Sequence, residues 1–196
     1  MADYAKLITQ AEKLIQRLER LVPQDSPPPD WGVSAAFRWR KRNGRGWIQP
    51  VTHIHHIGLE DLQGIEQQKR LVETNTRQFV QGVPANNVLL TGARGTGKSS
   101  LVKAILNKYA GKKLRLIEVE KLDLIDLPDI VDQVAVRPER FILFCDDLSF
   151  EADEPGYKAL KVVLDGSIAA ASENVLIYAT SNRRHLMPEY MRENLE

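Results

Sequence analysis

Cysteine is nearly missing from this sequence. Cys145 is alone among 196 residues, which excludes an internal disulfide framework and fits a reducing compartment. An excess of one charge is missing too: 27 Lys+Arg stand against 26 Asp+Glu, a formal net charge of +1. Without a global field, any attraction to nucleic acid or an anionic membrane must be local. No apolar run approaches the roughly 20 residues that span a bilayer, and Met1-Ala2-Asp3-Tyr4 has neither the basic stretch nor the apolar core of a secretory signal. These absences lead to the expectation of a cytoplasmic protein with no membrane partner. Repeats and extended low-complexity tracts are absent as well, so the length is that of one sizeable α/β core with a smaller appendage.

The first segment, residues 4 to 22, places Ile8, Ala11, Ile15, Leu18 and Val22 on one side, with Leu7, Leu14 and Leu21 beside them. That spacing predicts an amphipathic helix. Its apolar side has two readings, docking on the protein's own body or pairing with a partner helix. Pro23 to Asp30 follows as a linker or extended strap, because proline lacks the amide donor a helix needs. Between Trp31 and Trp47, all three tryptophans and Phe37 are interleaved with Arg38, Arg40, Lys41, Arg42 and Arg45, and no acid intervenes. Alternation over Ala36 to Arg40 and the Asn43-Gly44 pair predict a small β-hairpin with a basic face. Either the aromatics pack on the main body while the arginines are solvated, or the hairpin meets nucleic acid or another partner.

After Pro50 the pattern is an alternation of helical and strand-like segments. Leu59 to Gln81 reads as a helix. Asn87 to Thr91, Leu114 to Val119, Phe141 to Cys145 and Val175 to Ala179 read as strands, each separated from the next by enough chain for a crossover helix. This predicts a parallel sheet with helices on both faces. The chain thus divides into residues 1–50 (helix, Pro-rich linker and basic hairpin) and residues 51–196 (nucleotide-binding core).

Gly92-Ala93-Arg94-Gly95-Thr96-Gly97-Lys98-Ser99 satisfies G-x-x-x-x-G-K-[ST] at every fixed position, after the strand-like Val88-Leu89-Leu90 and before a helical run that opens at Ser100. Glycines let such a loop curl so that successive backbone N–H groups face phosphates, and the following helix presents its positive end. The predicted phosphate cradle is Gly92 to Ser100, with Lys98 reaching the β and γ oxygens and Ser99 as a magnesium ligand. A second constellation closes the apolar run Phe141-Ile142-Leu143-Phe144-Cys145 with Asp146 and Asp147. Asp146 is placed to hold the magnesium shell, and Asp147 to orient or deprotonate attacking water. A plain turn or helix cap is the competing reading of two such acids.

The phosphate loop, the apolar-Asp-Asp strand and the later Asn174 to Arg183 segment together resemble the core of an AAA+ ATPase, of P-loop NTPase type. Asn182 occupies the place of that family's γ-phosphate sensor, and the resemblance implies a catalytic role for it beside Asp147 and Lys98. Leu59 to Lys69 resembles the segment that lines the adenine pocket, so Leu62 and Ile65 are implied adenine contacts. The wording of Asn86 to Ser100 and Phe141 to Glu151 is similar to an uncharacterised bacterial AAA+ group of predicted ATPases. The resemblance spans roughly Leu59 to Glu196.

Two departures accompany it. Most members carry Asp-Glu where this chain has Asp146-Asp147, although helicase-loader and initiator relatives also carry two aspartates. After Asn182 the family continues through a fifth strand, an interface arginine and a helical lid, so the chain reads as a core incomplete at its C-terminus, its phosphate-loop strand left at a sheet edge. Arg183 and Arg184 are either phosphate or interface arginines or a solvated turn.

The expected function is ATP binding with magnesium-dependent hydrolysis, by a module that remodels or loads a protein or nucleic-acid partner. The family implies a homo-oligomer, commonly a hexamer. The alternative is a nucleotide-gated binding module with little or no turnover. A GTPase is disfavoured because Asn107-Lys108-Tyr109-Ala110 lacks the aspartate of a guanine reader. His53, His55 and His56 read as solvated rather than metal-binding, and Cys145 as a small buried hydrophobe.

Overall fold

The computed structural model describes residues 2–21, 28–150, 154–164 and 172–182. Its centre is a six-stranded sheet in the order β2-β1-β4-β5-β6-β3. The strands are β1 (Ala36–Arg42), β2 (Arg45–Pro50), β3 (Val88–Thr91), β4 (Leu114–Glu118), β5 (Arg140–Cys145) and β6 (Val175–Ser181). Only β1 and β2 run antiparallel; the remaining neighbours are parallel. Helices α2 (Glu66–Val80) and α3 (Lys98–Tyr109) cover one face, while α4 (Leu127–Ala135) and α5 (Pro155–Leu164) cover the other. The expected parallel sheet with helices on both faces is therefore present.

β5 lies near the middle of the sheet, and Phe141 to Cys145 are all buried. Its continuous apolar run is what burial on both faces requires. Alternate residues feed two cores, Phe141, Leu143 and Cys145 on the α4–α5 side and Ile142 and Phe144 on the α2–α3 side.

Helix α2 begins at Glu66, seven positions after the start expected from sequence. Two local features hold off the helix: Gly64 has φ +76°, and the Gly58 N–H donates to Asp61 Oδ2 at 2.7 Å, closing a turn. The irregular stretch before it still packs, through Val51, Ile54, Ile57 and Leu59, against the core beneath α2 and α3.

The hairpin expected ahead of the core is, in space, two strands of the same sheet, because β1 pairs in parallel with β4 from Ala36↔Leu116 to Arg38↔Glu118. Asn43 and Gly44 take φ +52° and +76°, the geometry that turns a tight hairpin with the right twist. Phe37, Trp39 and Trp31 are buried in the core on the α4–α5 side. The Trp39 indole lies where a Cβ on Gly46 would stand, 1.8 Å from its ring, so only glycine fits beneath it. Trp39 Nε1 and Lys41 Nζ both donate to Asp126, at 3.1 and 2.7 Å, which pins the hairpin to the 3₁₀ turn at Lys121–Asp126. The Asp126 carboxylate also pushes the Lys41 pKa up, chiefly through that hydrogen bond. Trp31, Phe37 and Trp39 thus follow the packing reading.

On helix α1 (Ala2–Leu21) several apolar side chains face solvent. Tyr4, Leu7, Ile8, Leu14 and Ile15 are all exposed, by 53% or more. No helix among the described residues is long and apolar enough to cross a membrane.

Cys145 is fully buried, and burial alone pushes its thiol up to about 12. An unfolded thiol ionises near 8.5. The unfolded chain therefore loses this proton first, so the stability associated with the protonated thiol is fully present below about pH 8.5 and declines as pH rises toward 12. We expect a thiol-reactive probe at pH 8 to label Cys145 only after denaturant unfolds the chain, and the melting temperature to fall above pH 8.5. Rapid labelling of the folded protein would contradict the burial.

Candidate nucleotide-binding site

The order of the strands decides where a ligand can bind. The chain leaves β3 at one edge and next enters β4, on the far side of β6 and β5, so the loops after β3, β5 and β6 open at the same sheet margin. In open α/β sheets this switch point is where ligand crevices form.

The loop after β3 is built by its glycines. Gly92, Gly95 and Gly97 have φ of +147°, +82° and +83°, a region that L side chains seldom adopt. Gly97 is also the residue on which α3 starts, so the first N–H groups of a 12-residue helix face the loop. Thr96 Oγ1 donates to the Ala93 carbonyl at 2.8 Å and tightens the curl. Lys98 folds back over it, its Nζ donating to the carbonyls of Gly92 and Ala93 at 2.7 and 2.8 Å and to Asn182 Oδ1 at 3.0 Å.

Asp146 and Asp147 sit just past the end of β5, and β6 holds both in place. Ser99 Oγ donates to Asp146 Oδ1 at 2.6 Å, and Thr180 Oγ1 donates to the same oxygen at 2.5 Å. Thr180 Oγ1 also accepts the Asp147 N–H at 2.8 Å. Asp147 takes φ +54°, a left-handed conformation that aspartate tolerates better than most residues. Its Oδ1 accepts from Asn182 Nδ2. A continuous polar chain therefore runs Lys98–Asn182–Asp147, drawing on α3, the end of β6 and the end of β5.

These groups line a cavity of about 410 Å³, bounded by Arg94 to Ser100, Asp146, Asp147, Thr180 and Asn182. A second cleft of about 590 Å³ adjoins it at Thr96 and Lys98 and runs along β3 and α2. It is lined by Ile65, Gln68, Leu71, Val72, Asn75, Leu101 and Val88 to Gly92. One cavity is polar with donors on a helix start; the other offers aliphatic walls with two amides.

The structure brings Arg94 to Ser100, Asp146, Asp147 and Asn182 to one cavity and places Gly92 at the rim of the adjoining cleft. Ala93 contributes its carbonyl to Lys98. Of the two residues implied for adenine, Ile65 lines the cleft, whereas Leu62 is 9% exposed and packs in the core, outside the cleft's lining. Arg183 and Arg184 lie outside the described residues. Sequence reasoning passed over Thr180, although the signal was available: it stands two positions before Asn182 on a strand, hence on the same side. Gln68, Leu71 and Asn75 were also missed, since nothing in a helix pattern tells which turn borders a cleft.

A match with known families follows this geometry. A family model described as Protein of unknown function (DUF815) covers residues 33–196. The chain belongs to that family. Since the match starts at Val33, the hairpin lies within the family's own extent. No curated protein matches the sequence. Among solved structures, the RuvB Holliday junction branch migration motor of Thermotoga maritima is similar at TM-score 0.49 and 19% identity, over 71% of this chain and 46% of that one. PCH-2 of C. elegans follows at 0.47 and 21%, over 68% and 41%. A putative primosome component from Streptococcus pyogenes serotype M3 gives 0.43 and 23%, over 65% and 70%. The chain thus spans less than half the length of the first two. Its own glycine loop between β3 and α3 and its mainly parallel sheet with helices on both faces fit the phosphate-loop arrangement expected from the sequence.

Proposed function

We propose that this chain binds ATP in the paired cavities and hydrolyses it, and that the conformational change so produced acts on a protein or nucleic-acid partner. The observation that carries the proposal is the Lys98–Asn182–Asp147 chain, in which a cation, an amide and a carboxylate from three separate elements meet over a glycine loop.

Each residue has a role its position supports. The loop N–H groups and the start of α3 receive the phosphates, and the Lys98 ammonium leaves the Gly92 and Ala93 carbonyls to meet the β and γ oxygens. The Asp147 carboxylate orients the attacking water and accepts its proton. Asn182, hydrogen-bonded to both, reports the terminal phosphate to Asp147. Ile65 and the aliphatic wall of the adjoining cleft hold the base. Ser99 Oγ and Asp146 Oδ1, both hard oxygen donors 2.6 Å apart, suit Mg²⁺. A magnesium ion bound there would neutralise charge on the β and γ phosphates. ATP rather than GTP is proposed because the sequence lacks the aspartate of a guanine reader.

We further propose a cytoplasmic homo-oligomer as the working form. A nucleotide-gated binder with slow turnover is the second reading, favoured by the Asn182 hydrogen bond that engages Asp147 before any phosphate arrives. The experiment is a titration with labelled ATP and GTP in magnesium, followed by phosphate release. Saturable ATP binding with turnover supports the first reading; binding without turnover supports the second; no binding by a folded chain overturns both.

Thr180 is the positioning residue of this site, through its bonds to Asp146 and to the Asp147 backbone. Replacing it with valine keeps the shape and removes both bonds. Thr180→Val should lower kcat about 10-fold or more and raise the magnesium concentration needed for half-maximal rate, while Thr180→Ser restores both. An unchanged magnesium requirement would assign Thr180 to packing alone.

A further inference from the structure

The outer face of the hairpin is a second feature with chemistry of its own, at the opposite edge of the sheet from β3. The β1–β2 register pairs Arg38 with Gln49, Arg40 with Trp47 and Arg42 with Arg45. Side chains alternate along a strand, so these six share one face, while Phe37, Trp39 and Ile48 on the other are buried. On this face Ala36 is buried, Arg38 and Arg40 are half-buried, and exposure grows toward the turn. Arg42, Arg45 and Gln49 are exposed and Trp47 is half-buried.

From Trp31 to Gly58 the sequence holds no acid. Among the described residues, Arg38 pairs with Glu118 at the end of β4 at 2.7 Å and Arg40 with Glu120 just beyond it at 3.3 Å, and Arg45 is also engaged by a partner. The Arg40 pair is 39% and 58% exposed, and ion pairs so exposed are weak and readily exchanged. Beside them, Arg38, Arg40, Gln49, Thr52 and His53 border a groove of about 280 Å³. The face therefore combines guanidinium groups, a groove of mixed polar and apolar lining and an indole ring.

We infer that this hairpin face binds single-stranded nucleic acid, with arginines on the phosphates and Trp47 under a base. Charge complementarity selects a polyanion, and the ring within the arginine field selects one that carries flat bases. Sheet faces that stack bases on aromatic side chains work in this way. A duplex keeps its bases stacked on each other and cannot lay one on Trp47, so the single strand is favoured. The inference is independent of the nucleotide-binding reading.

The test is fluorescence anisotropy with a labelled thymidine oligonucleotide of about 20 nucleotides, using the full chain across a salt series. Arg40, Arg42 and Arg45 are changed together to glutamine, Trp47→Leu is made separately, and melting curves confirm that each variant folds. The unmodified chain should bind with a log–log salt slope that the triple variant reduces by about 2, since each phosphate contact on a single strand contributes about 0.7. The triple variant should bind at least about 10-fold more weakly, and Trp47→Leu at least about 5-fold. Lys98→Ala should bind as tightly as the parent.

Four results would each overturn the inference. Equal affinity in the folded triple variant would place the oligonucleotide elsewhere, and loss only in Lys98→Ala would place its phosphates in the loop cavity. Competition by poly-glutamate as effective as that by oligonucleotide would make the face a site for acidic peptide. A duplex bound as tightly as the single strand would remove the role of Trp47 and with it the claim of a stacked base.

Discussion

Lys98→Ala should weaken ATP binding by at least about 100-fold while leaving the fold intact. The ammonium is held inside the curl of the glycine loop by the carbonyls of Gly92 and Ala93. Hydrogen bonds to charged groups contribute about 1.5 to 3 kcal/mol each, and about 1.4 kcal/mol is tenfold in affinity. A lysine that meets two phosphate groups therefore accounts for about two decades. Alanine leaves those carbonyls at an exposed loop where water can reach them, so stability should change little. Calorimetric titration of parent and variant, with melting curves for both, provides the measurement. If a folded Lys98→Ala variant bound ATP as the parent does, the nucleotide would not lie in this loop.

Asp147→Asn should behave differently, keeping ATP binding and losing turnover by about 100-fold or more. Asparagine preserves the side-chain shape and retains an oxygen to accept from Asn182 Nδ2, so the polar chain to Lys98 can persist. The negative charge that takes a proton from water is what disappears. Positioned general bases contribute about 10²- to 10⁴-fold. Binding should hold or tighten, because one negative charge no longer faces the terminal phosphate. Single-turnover phosphate release separates this outcome from a binding defect. A rate equal to the parent's would show that Asp147 does not activate the water and would leave the hydrogen bond to Asn182 as its only role.

The two variants also test different kinds of evidence. Lys98 was legible in the sequence because its partners are close along the chain: glycines at 92, 95 and 97 fix a loop, and a helix must start where Gly97 ends it. Local backbone geometry of this sort is written in residues a few positions apart. The apolar run 141–145 and its two acids were legible for the same reason, as was the Asn43-Gly44 turn.

The link from Asp147 to Asn182 was not legible in this way. It joins residues separated by 35 positions, and Lys98 to Asn182 by 84. Only the β6 strand lying between β3 and β5 brings them together, and each of these apolar runs could have paired with several others on pattern alone. Resemblance to a family suggested Asn182; the hydrogen bonds show what it touches. Leu62 and Ile65 illustrate the limit. They are three residues apart in one segment, but the turn at Gly64 leaves Ile65 against the cleft and Leu62 in the core.

The start of α2 and the place of the hairpin were also decided by contacts made in three dimensions. A helical pattern ran back to Leu59, and a turn closed by Asp61 together with the left-handed Gly64 held the helix off until Glu66. A basic, aromatic stretch ahead of the core looked like an appendage. β4 had an open edge, however, and pairing β1 with it satisfied backbone hydrogen bonds while burying Phe37 and Trp39.

By itself, then, the sequence determined the glycine loop, the helix that follows it, the acids after β5 and the hairpin turn, because each depends on backbone conformations and spacings within about ten residues. The tertiary structure alone decided which strands are neighbours, and therefore that Thr180 holds Asp146, that Asn182 joins Lys98 to Asp147, and that one hairpin face is buried while the other carries exposed arginines. Those contacts arise from how apolar runs pair across a sheet, and a run that is buried on both faces carries no mark of its neighbour.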